Sequence, residues 1–172
     1  MLFNAALVLC ALGSASLVTA ACGEKADRVC FGKDGGQAQG LDLEDIEYAA
    51  ATLRSQGTLA NGSAAFWTMP RDVDCAEWML PVPSGGTVIA LAKHINPRVT
   101  SSVLFADIAN TIDGGVSATT AQKQASLLGC GTGGGMFGVK ANTTHPAYNT
   151  AAYKESKASP DGILIKLVRA PV

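Results

Sequence analysis

The sequence predicts an α+β protein in which a mainly antiparallel sheet has two to three helices packed on one face, an α/β sandwich with two disulfides. Helical and strand patterns do not alternate regularly along the chain, which argues against a doubly wound parallel sheet. Two apolar strand patterns are separated by little more than Ser84-Gly85-Gly86, a link short enough for an antiparallel hairpin. Four cysteines follow the first twenty residues, an even number that suits two disulfides.

The first twenty of the 172 residues have the pattern of a secretory signal peptide. An apolar run extends from Ala5 to Leu17, and Val18-Thr19-Ala20 supplies the small residues of a cleavage site. The run is shorter than the roughly 20 residues that a transmembrane helix needs. We therefore expect residues 1–20 to be removed, leaving residues 21–172 as a single secreted, extracellular domain without a membrane span.

The cysteines that follow this segment are expected to be bridged rather than reactive. Cys10 falls within the predicted signal peptide, which leaves Cys22, Cys30, Cys75 and Cys130. In an exported chain four cysteines indicate two disulfides, and three pairings are possible. The chain has no Cys-x-x-Cys pair, and its two histidines are not at ligand spacing, so neither a metal site nor a cofactor is predicted.

Two sequons also fit an exported protein. They are Asn61-Gly62-Ser63 and Asn142-Thr143-Thr144, and both lie in turn-like sequence where a glycan would be on the surface. We expect Asn61 and Asn142 to be glycosylation sites.

The charge pattern argues against two classes of partner. The formal net charge is −1, and no polybasic or polyacidic run occurs. Binding to nucleic acid or to an anionic membrane relies on clustered basic residues, so neither partner is expected.

The first half of the domain begins with a polar, glycine-rich loop or edge strand and continues with a helix over Leu41–Gln56. Asp42 is placed to cap this helix, because its carboxylate can accept from the free N–H groups of the first turn. Leu41 and Ile46 occupy the positions of a hydrophobic staple. Helical periodicity predicts a buried stripe, and Gly57 is expected to end the helix. The stripe consists of Leu43, Ile46, Ala50 and Leu53.

Three strands follow this helix. They are predicted over Ala64–Met69, Val73–Val82 and Thr87–Ile95. Alternation within the second strand places Ala76, Trp78 and Leu80 toward the core and Glu77 on the other side.

The second half contains two helices and two strands. One of Thr100, Ser101 or Ser102 is expected to cap a helix that extends through Ile112 and stops at Asp113-Gly114-Gly115. The remaining predicted segments are a short helix over Thr119–Leu128, a flexible link over Gly131–Gly135, a weak strand over Met136–Ala141, a loop over His145–Pro160 and a final strand over Ile163–Val168.

Few residues suggest catalysis. His94 is the best lone candidate, because it ends a strand beside Lys93. Strand alternation places it either with the buried residues of that strand or on the solvent side. Gly131–Gly135 lacks the Gly-Lys-Ser/Thr ending of a phosphate-binding loop. We assign no catalytic residue and favour a structural role for His94.

Five short motifs follow one another along the chain: Cys30–Gly32, Gly85–Ala92, Val103–Ile108, Leu128–Gly131 and Asp161–Val168. Their order resembles that of a known family, the smut-fungus killer toxins and the related killer-toxin-like effectors secreted by plant-associated fungi. The resemblance implies a compact antiparallel sheet with helices packed against it. It also implies that an N-terminal cysteine pairs with Cys130 and the other with Cys75. This chain has fewer cysteines and less positive charge than the toxin, so no functional residue is transferred.

The resemblance predicts a small secreted effector or toxin that binds an extracellular or host-cell target and is not an enzyme. The expected partner is a cell-surface protein, such as an ion channel, because the best-known toxin of this type acts on calcium channels. We expect the protein to be a monomer. Two alternatives stay open: a small secreted hydrolase that uses His94 with an acidic partner, and a cell-wall or surface protein without toxicity.

Overall fold

A computed structural model describes residues 22–60, 62–72, 74–83 and 86–171. The predicted signal peptide and Asn61 lie outside the described residues. The described part of the chain contains four α-helices: α1 (Leu43–Leu59), α2 (Phe105–Asp113), α3 (Thr120–Ala125) and α4 (Ala151–Ser156). Its seven strands are β1 (Val29–Cys30), β2 (Phe66–Met69), β3 (Glu77–Met79), β4 (Val88–His94), β5 (Ser101–Leu104), β6 (Gly135–Gly138) and β7 (Ile163–Arg169). Three 3-10 turns cover Gly62–Ala65, Leu128–Gly133 and Pro146–Asn149.

The strands form two antiparallel sheets. The larger has the order β1-β6-β7-β4-β3, and its centre is the β4–β7 pair, which runs in register from Val88 opposite Arg169 to His94 opposite Ile163. The antiparallel hairpin expected between β3 and β4 is confirmed. The smaller sheet is a ribbon in which β2 pairs with β5. The predicted α+β class with a mainly antiparallel sheet is therefore confirmed.

One face of the large sheet forms the core. Along β4 the even-numbered residues are buried and the odd-numbered ones are partly exposed, as the period of two predicts. The buried face of β7 lies alongside, and α1 and α2 pack against each other and against this side of the sheet. Fully buried residues of the core include Ile46, Leu53, Ile108, Ile112, Ile163, Ile165 and Leu167.

Helix α1 confirms its predicted start and corrects its predicted end. The Asp42 side chain accepts from the N–H of Glu44, so the expected N-cap is confirmed. Gly57 does not end the helix, which continues to Leu59. A Cβ on Gly57 would lie 3.2 Å from the Cβ of Phe105, so this glycine allows α1 to approach α2 closely.

The predicted stripe of α1 is correct except at its first position. Ile46, Ala50 and Leu53 are buried, but Leu43 is 45% exposed because it lies at the first residue of the helix, beyond the edge of the core. Ala49 is buried as well.

The predicted start of α2 was wrong by about one helical turn. Ser101–Leu104 forms strand β5 rather than a capped helix start, and α2 begins only at Phe105, without a side-chain cap. The reason is non-local, because these residues pair with β2 and the hydroxyls of Thr68 and Ser102 lie 2.7 Å apart. The expected stop is confirmed, since Gly114 adopts the left-handed conformation with φ 89°.

Several other segments differ from their predicted boundaries. Strand β3 is shorter than predicted and leaves Ala76 exposed, while β2 starts at Phe66 because a 3-10 turn precedes it. Gly131–Gly135, predicted as a link, belongs to a 3-10 turn and to the start of β6, which ends at Gly138. The short helix predicted over Thr119–Leu128 is present as α3, with a capping box between Thr119 and Gln122, but it ends earlier than predicted, at Ala125.

The loop predicted over His145–Pro160 was wrong. This segment forms the Pro146–Asn149 turn and helix α4, whose starts are capped by the side chains of His145 and Thr150. Tyr148 is buried and anchors the segment to the rest of the protein. Polar composition concealed this structure, which depends on two caps and on aromatic contacts rather than on an apolar stripe.

The outer face of the sheet contains a small ion-pair network. Glu24 lies 2.7 Å from Lys93 Nζ and 2.5 Å from Lys166 Nζ, and Lys166 also bonds to Glu77 at 2.5 Å. Burial alone would raise the pKa of Glu24, but hydrogen bonds from Lys166 and Lys93 lower it below its usual range. The network attaches the N-terminal segment to β4 and β7.

We expect Glu24→Gln to reduce the free energy of unfolding by about 1–2 kcal/mol, between the values typical of exposed and buried ion pairs. Because the pKa of Glu24 is lowered in the folded state, its stabilisation is complete above the ordinary glutamate value of 4.5 and is lost as the pH falls below it. Urea unfolding at pH 7 and pH 3 measures both effects. Glu155→Gln removes the same charge from an exposed position and serves as the control; equal effects of the two variants would contradict the prediction.

Candidate functional site

The described residues form a cleft of about 590 Å³. Its floor is the outer face of the β2–β5 ribbon, where strand alternation places Phe66 and Thr68 beside Ser102 and Leu104. The opposite face of the ribbon, which includes Met69, is buried in the core. The ribbon is therefore a two-sided element, with one side in the core and the other open to the cleft.

The walls of the cleft come from two helical segments far apart in sequence. The last turn of α1 and the Gly62–Ala65 turn form one wall, and the Pro146–Asn149 turn with α4 forms the other. Apart from Phe66, Leu104, His145 and Tyr153, every described residue that lines the cleft is Gly, Ala, Ser or Thr. Small side chains leave the space open and make the lining largely apolar.

Three aromatic rings hold the α4 wall against the ribbon. Phe66 makes an edge contact with Tyr148 at 5.3 Å between centroids and stacks on Tyr153 at 4.9 Å. The two tyrosines also meet edge-on at 5.0 Å. The Tyr153 hydroxyl donates to the backbone oxygen of Ser102 at 2.8 Å. Burial raises the pKa of Tyr153 to about 12, so its hydroxyl remains a donor at physiological pH.

A buried polar pair lies beneath this aromatic cluster. The Tyr148 hydroxyl donates to Oδ2 of Asp107 at 2.6 Å and accepts from the N–H of Leu104 at 2.9 Å. Asp107 is only 4% exposed, and burial raises the pKa of its carboxyl group, while hydrogen bonds from Tyr148 and the backbone of Asn142 partly offset this rise. Burial and the neighbouring carboxylate raise the pKa of Tyr148 above its usual range. The pair links α2 to the α4 wall.

His94 lies inside the core rather than at the cleft. Its ring is 2% exposed, and Nε2 is 2.9 Å from the backbone oxygen of Pro70. The other nitrogen, Nδ1, has no hydrogen-bonding partner among the described residues. The structure thus places His94 with the buried residues of β4, and it brings no described carboxylate to the ring.

The four cysteines form two disulfides, as expected. Cys22 pairs with Cys75 and Cys30 pairs with Cys130. The pairing implied by the resemblance, one N-terminal cysteine to Cys130 and the other to Cys75, is confirmed. The two bridges attach the N-terminal segment at both edges of the large sheet, since Cys30 lies in β1 and Cys75 lies just before β3.

The described sequon is accessible. Asn142 is exposed in the loop after β6, and its side-chain oxygen accepts from the Thr144 hydroxyl at 2.6 Å. Asn61 lies outside the described residues.

The sequence analysis did not predict the cleft, because it treated residues 145–160 as a loop. One local signal was available, because Thr150 precedes the helix-forming run Ala151–Ser156 and threonine is a good N-cap. The contact between this helix and the β2–β5 ribbon has no local signal.

Comparison with protein-family models, with curated proteins and with solved structures finds no match. Within the described ranges, no group of three or more His, Cys, Asp and Glu side chains is arranged to hold a metal ion. In the same part of the chain, no helix is both long and apolar enough to cross a membrane.

Proposed function

We propose that this protein is exported as a small disulfide-linked effector that resembles killer toxins and acts on another cell by binding, without catalysing a reaction. The two disulfides are the observation that supports this proposal. Disulfides persist in oxidising compartments and are rare in the cytosol, and here both join the N-terminal segment to distant parts of the fold.

The target class in this proposal is a protein on the surface of a host or competing cell, with an ion channel as the case that the resemblance suggests. The near-neutral charge of the chain favours recognition by shape and apolar contact over electrostatic attraction. The proposed active form is the monomer.

The hydrolase alternative requires His94 to meet both a substrate and an acidic group. Its ring is buried and contacts a backbone carbonyl, so no observation favours this alternative over binding. The cell-wall alternative differs from the effector proposal in the place where the exported protein accumulates.

The first experiment is expression of the full chain in a fungal host and mass mapping of the protein in the medium without reduction. We expect a mature N-terminus at Ala21 and two bridged peptide pairs, because the signal peptide is removed and the cysteines oxidise during export. Accumulation inside the cell would contradict the proposal, and retention in the wall fraction would favour the surface-protein alternative.

The second experiment applies the labelled protein to plant tissue and to a panel of competing fungi. We expect saturable surface binding that the unlabelled protein displaces and that the reduced, alkylated protein does not. The absence of binding and of any response across the panel would overturn the effector proposal.

A further inference from the structure

The cleft has the size and lining of a site for a small molecule. Its volume of about 590 Å³ falls within the roughly 300–1,000 Å³ typical of ligand pockets. Such pockets are mostly apolar and have a few polar groups that orient the ligand. Here the Phe66 and Tyr153 rings supply flat apolar surface, and the small residues of both walls leave room beside them.

The lining favours an uncharged ligand. Among the described residues that line the cleft there is no Asp, Glu, Lys or Arg. Among these described residues His145 has the only basic side chain, and its Nδ1 accepts from the N–H of Ala147 within its own turn. A charged group entering this cleft would lose water without gaining an opposite charge, which is unfavourable.

The floor provides one place to anchor a polar atom. The hydroxyls of Thr68 and Ser102 lie 2.7 Å apart and share one hydrogen bond. Each hydroxyl has one proton, so their mutual bond uses one proton and leaves the other available for donation. Because Thr68 is exposed at the cleft whereas Ser102 is buried, a ligand oxygen would accept most readily from Thr68.

We propose that the cleft binds a neutral, mainly apolar small molecule with a hydroxyl or carbonyl oxygen, its apolar body lying against Phe66 and Tyr153 and its oxygen bonded to Thr68. This site goes beyond the proposed function, and it can be tested on the purified protein whether or not a cellular target exists.

Binding is measured with Nile red, a neutral fluorescent probe, followed by competition. We expect a saturable rise in Nile red emission at one site per chain. Dodecanol is expected to displace the probe. Dodecanoate at pH 8 has the same chain length but a charged end, and we expect it to displace the probe at least about 10-fold more weakly, because the described lining offers no Lys or Arg to offset the desolvation of its carboxylate. Absence of saturable binding, or equal displacement by both competitors, would overturn the proposal.

Two tryptophan variants on α4 locate the site. Ala151 and Ala152 are adjacent and exposed, but only Ala152 lines the cleft. We expect Ala152→Trp to weaken dodecanol and Nile red binding at least about 10-fold by filling the cleft, and Ala151→Trp to change it less than about twofold. Equal effects of the two variants would place the probe elsewhere and overturn the proposal. The proposal would also be overturned if light scattering showed that the probe binds only when two chains associate.

A third variant tests the anchor. Thr68→Val keeps the shape of the side chain and removes its hydroxyl, so dodecanol affinity is expected to fall roughly 2- to 10-fold, the range for loss of one hydrogen bond. Unchanged affinity would overturn the role of Thr68.

Discussion

Removal of the Cys30–Cys130 disulfide is expected to cause the largest loss of stability of any change considered for this protein. The two cysteines are 100 residues apart in sequence, and the chain-entropy relation gives about 4.7 kcal/mol for a loop of that length. Domains are typically stable by about 5–15 kcal/mol, so the loss is a large part of the total. Both cysteines are also buried, at 3% and 2% exposure, so their loss also removes packing.

The double variant Cys30→Ala/Cys130→Ala tests this expectation, since alanine avoids the burial of two serine hydroxyls. Urea unfolding monitored by circular dichroism gives the change in the free energy of unfolding. The other bridge closes a separation of 53 residues, for which the same relation gives about 4 kcal/mol, and its cysteines are only half-buried. Cys22→Ala/Cys75→Ala should therefore cost less.

Removal of the Cys30–Cys130 bridge should also loosen the edge strand β1. Strand β1 contains two residues and pairs with β6 over Val29 and Cys30 only. So short a strand has few hydrogen bonds of its own, and we expect faster amide exchange at both residues once the bridge is removed. A loss below about 1 kcal/mol, or a larger loss from the Cys22–Cys75 variant, would contradict this account.

Local signals in the sequence were sufficient for the central elements. Strands β4 and β7 are apolar runs with clear ends, and α1 has the Asp42 cap and an apolar stripe. These features arise from residues near one another in sequence, and propensity and periodicity describe them well.

The elements of the cleft depend on contacts that the sequence pattern does not contain. Strand β5 is a strand because it pairs with β2, more than thirty residues earlier in the chain. Helix α4 has no buried residue in its own span, and the ring contacts of Tyr153 place it against the ribbon. Loop closure over such distances is a property of the whole chain, so local propensity did not reveal these elements.

Assignment of the disulfides illustrates the same limit. The number of cysteines predicts two bridges, but it does not distinguish among the three possible pairings. The resemblance to killer toxins implied the partners of Cys75 and Cys130, whereas the choice between Cys22 and Cys30 required the structure.

Among the changes that leave both disulfides intact, Tyr148→Phe is expected to have the largest effect. The change keeps the ring and its contacts with Phe66 and removes only the hydroxyl, which bonds to Asp107 and to the N–H of Leu104. Both groups are buried and would lose a partner. Leaving one buried polar group unsatisfied costs about 1–3 kcal/mol. The Leu104 N–H loses the partner described here, whereas Asp107 keeps a hydrogen bond from the backbone of Asn142, so we expect a total loss of roughly 2–4 kcal/mol in the free energy of unfolding.

Tyr153→Phe is the matched control within the same aromatic cluster. Its hydroxyl donates to a single backbone oxygen, that of Ser102, and the side chain is only half-buried. We expect a loss no greater than about 1.5 kcal/mol, the upper value for one ordinary hydrogen bond. Equal losses from the two variants would mean that the bonds of Tyr148 to Asp107 and Leu104 add no special stability.

The pH dependence separates the carboxyl group from the hydroxyl. Burial raises the pKa of Asp107 in the folded state, so the folded protein binds this proton more tightly than the unfolded chain does. The contribution of Asp107 therefore increases stability as the pH falls through the raised pKa, and it becomes constant below the ordinary value of 3.8. Asp107→Asn retains an oxygen that can accept from Tyr148 but does not titrate. As the pH is lowered from 7 to 4, the free energy of unfolding of the wild type should therefore rise relative to that of Asp107→Asn. A relative fall over that range would show that the carboxylate, not the acid, is the favoured buried form.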